Sequence, residues 1–335
     1  MDLEVTFLGT GASAPSARRS TAAVLVARGG ERLLFDCGEG TQRQMQKSVG
    51  LTQVDEIYLT HFHADHMMGL PGLLKTYELT DRERPLKVFG PPGLKELFIV
   101  LRPLIGRLRY PLELGEMKAG ERVDHDEYAV EAFEAAHNVR AFGWALVEDD
   151  RPGRFDPEVA KGLGVREGPD FARLQRGEEV EGSKGTVKPD QVMGETREGR
   201  IIVITGDTAP SPQTVAAAAD ADLLIHDATF TEEDVQRAAE TGHSTLGQAA
   251  AVAAEAHVRL LALVHISARY HVGKVLDEAR EVFRKCVAPR DFDQIVIPFP
   301  ERGSPQLIPN GARERGAPPP QGGSDDALNE PPRSQ

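Results

Sequence analysis

The stretch Thr60-His61-Phe62-His63-Ala64-Asp65-His66 crowds three imidazoles and a carboxylate together. Imidazole nitrogens and carboxylate oxygens are the ligands that Zn²⁺ takes. Four donors exceed the needs of one catalytic ion that keeps an open position. They suit two adjacent ions, with Asp65 and His66 aimed away from His61 and His63. The rival reading is a set of solvated or core side chains. It is weak on electrostatics, because ionisable groups this close repel or desolvate one another unless a cation compensates.

A two-ion site needs further ligands. Tyr128 to Ala136 alternates and ends in His137. Arg200 to Thr205 reads as a buried strand and runs into Gly206-Asp207-Thr208. Arg259 to Val264 is another and leads to His265. Each polar residue lies just beyond an apolar run, where a sheet edge presents it to a shared cleft. Alone, each reads equally as a capping carboxylate or a satisfied core histidine. Their repeated placement makes the joint case.

The elements that must position these groups alternate between strand and helix. Strands are predicted near Glu4-Leu8, Ala22-Val26, Arg32-Phe35, Glu56-Thr60, Lys87-Phe89, Ala129-Ala135 and Phe142-Val147. Later ones fall near Ile201-Thr205, Leu223-His226, Leu260-Val264 and Gln294-Pro298. Helices are predicted within Glu39-Ser48, Met67-Leu79, Gly93-Leu101, Pro212-Ala219, Leu246-Glu255 and Gly273-Lys285. These runs suit two sheets packed face to face with helices outside. Periodicity alone does not separate that arrangement from a doubly wound sheet. An apolar content of 40% supports a large core, and α/β folds of 335 residues are often one domain. No apolar run is long enough for a membrane span, and no leader-like segment precedes the first strand. Cys37 and Cys286 form no spaced framework and are expected to be free thiols in a reducing cytoplasm.

His61-x-His63-x-Asp65-His66, followed by His137, Asp207 and His265, resembles the metallo-β-lactamase superfamily. Further segments are similar to one family within it, ribonuclease Z, the tRNA 3′-processing endoribonucleases. They are Phe7-Leu8-Gly9-Thr10-Gly11, the run Leu34 to Gln42, Gly206-Asp207-Thr208, His243-Ser244-Thr245 and His265-Ile266-Ser267-Ala268-Arg269-Tyr270. The resemblance extends from about Leu3 to Pro300 in the family's order. It implies a four-layer αββα sandwich over residues 1–300 and two Zn²⁺ ions per subunit. His61, His63 and His137 would bind one ion, Asp65, His66 and His265 the other, and Asp207 would bridge. It implies hydrolysis of precursor tRNA by activated water, with Asp65 as general base. The products would be a tRNA 3′-hydroxyl and a 5′-phosphorylated trailer. The leaving oxygen would receive its proton from His243, supported by the acidic residue of a His-Glu-Ala-Thr motif. That motif reads His226-Asp227-Ala228-Thr229 here, so Asp227 takes the role with one methylene fewer. His243 also neighbours Ser244 and Thr245, which suit the start of the helix Leu246-Glu255.

Residues 150–199 are rich in Gly, Pro and charge, with weak helical pieces at Pro157-Leu163 and Asp170-Arg176. A loop-like insertion of this length is usually functional or disordered. Gly164 to Gly177, with Gly168-Pro169 inside it, resembles the family's tRNA-gripping exosite arm. Ala172 and Gln175 depart from that pattern, and Arg173 and Arg176 are left to contact phosphates. Pro15-Ser16-Ala17-Arg18-Arg19-Ser20 resembles the family's Pro-x-Lys-x-Arg-Asn loop, which adds Arg18 and Arg19 as RNA contacts. The family also implies a homodimer, one subunit's arm holding the tRNA that the other cleaves. Residues 301–335 are Pro- and Gly-rich and are expected to form a disordered tail.

The net charge of −13 opposes nonspecific nucleic-acid binding, and DNA is not an expected partner. Local convergence of Arg18, Arg19, Arg102, Arg107, Arg109, Arg173 and Arg176 would be needed for RNA. Two rivals remain at this level. One is a small-molecule phosphodiesterase or arylsulfatase-like hydrolase with the same metal site. The other is a non-catalytic RNA-binding module on the same fold.

Overall fold

Alternation along the strands sorts the core into three apolar layers. Leu3, Val5 and Phe7 in the strand Leu3–Gly9 are fully buried and enter a central core. In the neighbouring strands Ala23–Arg28 and Glu31–Phe35, Val24, Val26, Leu33 and Phe35 enter the same core. Leu25 and Leu34 face the other way, against Met45 of the helix Thr41–Ser48 and Leu70, Leu73 and Leu74 of the helix Leu70–Leu79. The second sheet repeats the division. Trp144, Leu146, Ile202, Ile204 and Ile225 join the central core. Ala145, Val203 and Leu224 pack on Ala249, Ala250 and Ala253 of the helix Leu246–Glu255. The order helix, sheet, sheet, helix is the four-layer αββα sandwich. The computed structural model describes residues 1–270 and 272–311.

Among the described residues, the first sheet has eight strands, in which Glu31–Phe35, Glu56–Tyr58, Leu86–Gly90 and Leu112–Glu116 run parallel. The second has seven among the same residues, in which Ile201–Ile204, Leu223–Asp227, Leu261–Val264 and Cys286–Val287 run parallel. Parallel strands end at one edge, so the residues just beyond Tyr58, Ile204 and Val264 collect beside the carboxyl ends of the sheets.

Three expectations are corrected. The helix predicted over Met67-Leu79 is two helices, Ala64–Met67 and Leu70–Leu79. They part at Gly69, where an added Cβ would lie 2.0 Å from the Gly38 carbonyl oxygen. The helix predicted over Gly93-Leu101 continues to Ile105 past Pro103. The expected tail does not begin at 301: Gln306–Ile308 pairs antiparallel with Gln294–Val296 and extends the first sheet. Residues 312–335 of that predicted tail lie outside the described residues.

Glu148–Arg200 is a compact unit of its own. The two helical pieces expected there are the helices Pro157–Gly162 and Pro169–Gln175, and the hairpin Val180–Gly182/Gly185–Val187 lies where a loop was expected. They enclose Ala160, Val165, Leu174, Val180, Val187 and Val192. The two ends of the unit are tied by a buried bidentate pair, Arg200 Nε to Glu148 Oε2 at 2.6 Å and Nη2 to Oε1 at 2.8 Å.

Candidate metal centre

Each predicted ligand sits one to three residues past a strand, or at the cap or in the first turn of a short helix. His61 follows Glu56–Tyr58, and His63 precedes the helix Ala64–Met67 that carries Asp65 and His66. His137 follows Tyr128–Ala135, Asp207 follows Ile201–Ile204, and His265 follows Leu261–Val264. Gly206 makes the turn to Asp207 with φ 61°, and a Cβ there would meet Thr60 at 2.7 Å. Asp36 and His265 hold left-handed backbone at φ 57° without being glycine, a conformation that costs energy and clusters at sites.

The structure brings all seven ligand candidates together. One ligand atom each from His61, His63, His137 and Asp207 lie within 4.8 Å of one another, as do those of Asp65, His66 and His265. The Asp207 carboxylate faces both groups. Its Oδ2 lies 3.7 Å from His61 Nε2, while Oδ1 lies 3.2 Å from His66 Nε2 and 3.4 Å from His265 Nε2. Asp207 thus lies between the two groups, and it also falls in a further cluster with Asp227, His243 and His265.

Four of the histidines hold one nitrogen on the protein and turn the other to the cleft. Nδ1 contacts are His61 to Thr60 Oγ1 at 3.0 Å, His66 to Asp36 Oδ2 at 2.7 Å, His137 to the Gly242 carbonyl at 2.8 Å, and His265 to Thr229 Oγ1 at 2.8 Å. Metal-ligating histidines are oriented in this way. His61 Nε2 and Asp207 Oδ1 are buried without a hydrogen-bond partner. Buried open lone pairs are costly, and a cation between them removes the cost. The donor set therefore fits a metal pair.

Charge in the cleft comes from the same packing. Burial, with His66 beside it, drives His61 well below the ordinary imidazole range. Burial and His137 lower His63. Asp65 is pulled down to about 2: burial opposes its charge, and the bond with His265 and the charge of His66 overcome that. The backbone N–H of Ser13 also donates to Asp65 Oδ2 at 2.9 Å.

Asp227 and His243 meet at the rim of this group. Asp227 ends the strand Leu223–Asp227, and its Oδ2 lies 2.8 Å from His243 Nδ1. The shorter carboxylate thus reaches its histidine at ordinary hydrogen-bond length. Asp36 and Thr229 were not assigned roles from sequence. Asp36 carried the same signal as the ligands, a polar residue directly after a strand.

Several of the residues expected to contact RNA have partners of their own. Arg18 is exposed, but Arg19 is buried, with Nη1 on the Pro289 carbonyl at 2.8 Å and on Thr10 Oγ1. Arg19 is thus placed to anchor its loop and not to reach a phosphate. Gly168 precedes the helix Pro169–Gln175, whose Arg173 and Arg176 both bond Glu178. Arg109 is paired with Glu78.

Fold and site together define a metallo-β-lactamase-type protein. A family model described as beta-lactamase superfamily domain matches residues 181–266, and one described as anti-Pycsar protein Apyc1 matches residues 3–114. The Bacillus subtilis metallo-β-lactamase-fold protein YhfI is 18% identical, with a TM-score of 0.66 over 89% of this chain and all of that one. Human tRNase Z, short form, is 30% identical, with a TM-score of 0.63 over 89% of this chain and 99% of that one. Ribonuclease Z of Natronomonas pharaonis is 48% identical over 90% of this chain and 100% of its own length. That of Myxococcus xanthus is 47% identical over 90% and 99%. The chain belongs to the ribonuclease Z family.

Proposed function

We infer that this chain is an endoribonuclease that removes the 3′ trailer from precursor tRNA, leaving a tRNA 3′-hydroxyl and a 5′-phosphorylated trailer. The observation that carries the reading is the meeting, in one cleft, of seven ligand side chains with a carboxylate-supported histidine. A small-ester hydrolase would leave the inserted unit without a task. His61, His63 and His137 would hold one Zn²⁺ ion, Asp65, His66 and His265 would hold a second, and Asp207 would be available to both. Zn²⁺ bound there supplies Lewis acidity and lowers the pKa of water toward neutrality.

The chain's own groups do the rest. Asp65, kept ionised and held by the Ser13 N–H, takes a proton from the attacking water. Water attacks phosphorus opposite the 3′-oxygen of the nucleotide before the cut. His243 is held at Nδ1 by Asp227, which leaves Nε2 to hand a proton to that departing oxygen.

Residues 1–300 with the strand Gln306–Ile308 form the catalytic domain, and the unit Glu148–Arg200 is the tRNA-binding arm. The arm's contacts are Gly168, Pro169, Arg173 and Arg176, with Arg18 on the catalytic unit. The active form is a homodimer. Ile99, Val100 and Leu104 support this, as large apolar side chains exposed on one helix; a monomer in sedimentation velocity would refute it. The free, buried Cys37 and Cys286 favour a reducing, cytoplasmic location. No helix among the described residues is long and apolar enough to cross a membrane.

The test is to incubate the zinc-loaded protein with 3′-extended precursor tRNA and map both product ends. The expected cut leaves a 3′-hydroxyl and a 5′-phosphate, and Asp65→Ala reduces it on the order of 10²–10⁴-fold. Turnover of a small phosphodiester without tRNA cleavage would move the assignment to a phosphodiesterase. No turnover of either would indicate a binding module.

A further inference from the structure

The Asp227 carboxylate is fully buried and receives four contacts. Thr208 N–H donates to Oδ2 at 3.1 Å and Thr229 N–H to Oδ1 at 2.9 Å. Thr229 Oγ1 lies 2.6 Å from Oδ1, and His243 Nδ1 lies 2.8 Å from Oδ2. An ionised carboxylate only accepts, so the two side-chain partners must donate. His243 therefore carries its proton on Nδ1, and the Thr229 hydroxyl gives its single proton to Asp227.

That choice fixes a second histidine. Thr229 Oγ1 also lies 2.8 Å from His265 Nδ1. With its proton committed, the hydroxyl accepts there, so His265 is protonated on Nδ1. His265 Nε2 is then the nitrogen turned to Asp65 Oδ2 at 3.2 Å and Asp207 Oδ1 at 3.4 Å, free to ligate an ion and, without one, to bond the Asp65 carboxylate. The reverse assignment would leave two bare oxygens 2.6 Å apart in a buried site.

We propose that Thr229 is a positioning residue that relays the Asp227 carboxylate to His265, so that one carboxylate fixes the Nδ1 proton of His243 directly and that of His265 through the hydroxyl. This rests on the reading of His265 as a metal ligand and His243 as proton donor. The hydroxyl ties the metal site to the proton relay, so a change at Asp227 is felt at both.

The test is Thr229→Val, which keeps the shape and removes the hydroxyl, beside Thr229→Ser, which keeps it. Zn²⁺ affinity is measured by competition with a chromophoric chelator, and unfolding midpoints are recorded for both variants. The expected result is one of two Zn²⁺ ions weakened about 10–100-fold in Thr229→Val and restored in Thr229→Ser. Long-range ¹H–¹⁵N correlation on the wild-type protein, zinc-loaded and metal-free, should place a proton on Nδ1 of both His243 and His265. Two ions held as tightly in Thr229→Val as in wild type would overturn the proposal. So would a wild-type His265 with no proton on Nδ1, a result that stands even if the valine variant does not fold. If His265→Ala leaves both ions in place, the ligand reading fails instead, and the tautomers of the metal-free protein still decide the role of Thr229.

Discussion

His243 sits where burial and charge pull in opposite directions. Burial disfavours its proton, but the bond to Asp227 and that carboxylate's charge overcome this and raise it to about 8 from an ordinary 6.5. In the metal-free protein, an NMR titration of His243 should therefore have its midpoint near 8. Asp227→Asn should move it down, because the raising contacts are lost and burial is left; an unmoved midpoint would sever the pair. A folded value above the unfolded one stabilises the protein fully below pH 6.5, and the gain is lost as pH rises through about 8. At this scale the sequence was unusually legible. Ligand-type residues came after apolar runs at His61, His137, Asp207 and His265, and the fold gathers them. Thr229 was not legible, because its role depends on a hydroxyl proton shared across strand and loop. Arg19 was misread, because a basic residue in a loop motif gives no sign that its guanidinium turns inward.

The arm shows what an element adds to a motif. Arg173 Nε meets Glu178 Oε2 at 3.0 Å, and Arg176 Nε meets Oε1 at 3.1 Å. One carboxylate thus spans two arginines, as a phosphate would. Exposed pairs of this kind are weak and screened by salt, so phosphate can displace the glutamate. Glu178→Gln should tighten precursor tRNA binding several-fold at low salt. The salt slope should steepen by about one for each arginine released. Unchanged affinity and slope would mean that these arginines do not meet RNA. Deleting Gly162 to Glu181 removes Val165, Leu174 and Val180 from the arm's own cluster. That deletion should cripple precursor tRNA cleavage and spare a small phosphodiester; equal loss on both would reject the exosite role. Sequence patterning found the long strands and missed Leu112–Glu116, Arg122–Asp124 and the arm's hairpin. Leu112–Glu116 and Arg122–Asp124 are polar edge strands, and each hairpin strand is three residues long. Backbone pairing holds such strands with little apolar alternation to announce them.

Across the whole molecule, the ligands come from strand ends in both sheets, so metal occupancy bears on how the two sheets hold together. His61, His66, Asp207 and His265 are buried, and His61 Nε2 and Asp207 Oδ1 lack hydrogen-bond partners. A cation that binds the folded chain and not the unfolded one adds stability in proportion to the logarithm of its saturation, about 4 kcal/mol at a thousandfold excess over Kd. Chelation should therefore lower the unfolding midpoint, and added Zn²⁺ should restore it. Hydrogen exchange locates the effect. Amides around His61 to His66, His137, Asp207 and His265 should lose protection on chelation. Those around Ala160, Leu174 and Val187 should not, because the arm's cluster contains no ligand. A uniform loss of protection that includes the arm would mean that the metal site and the arm unfold as one cooperative unit. No change at the strand ends would mean that the seven side chains hold their places without an ion, and the metal reading would fall with it.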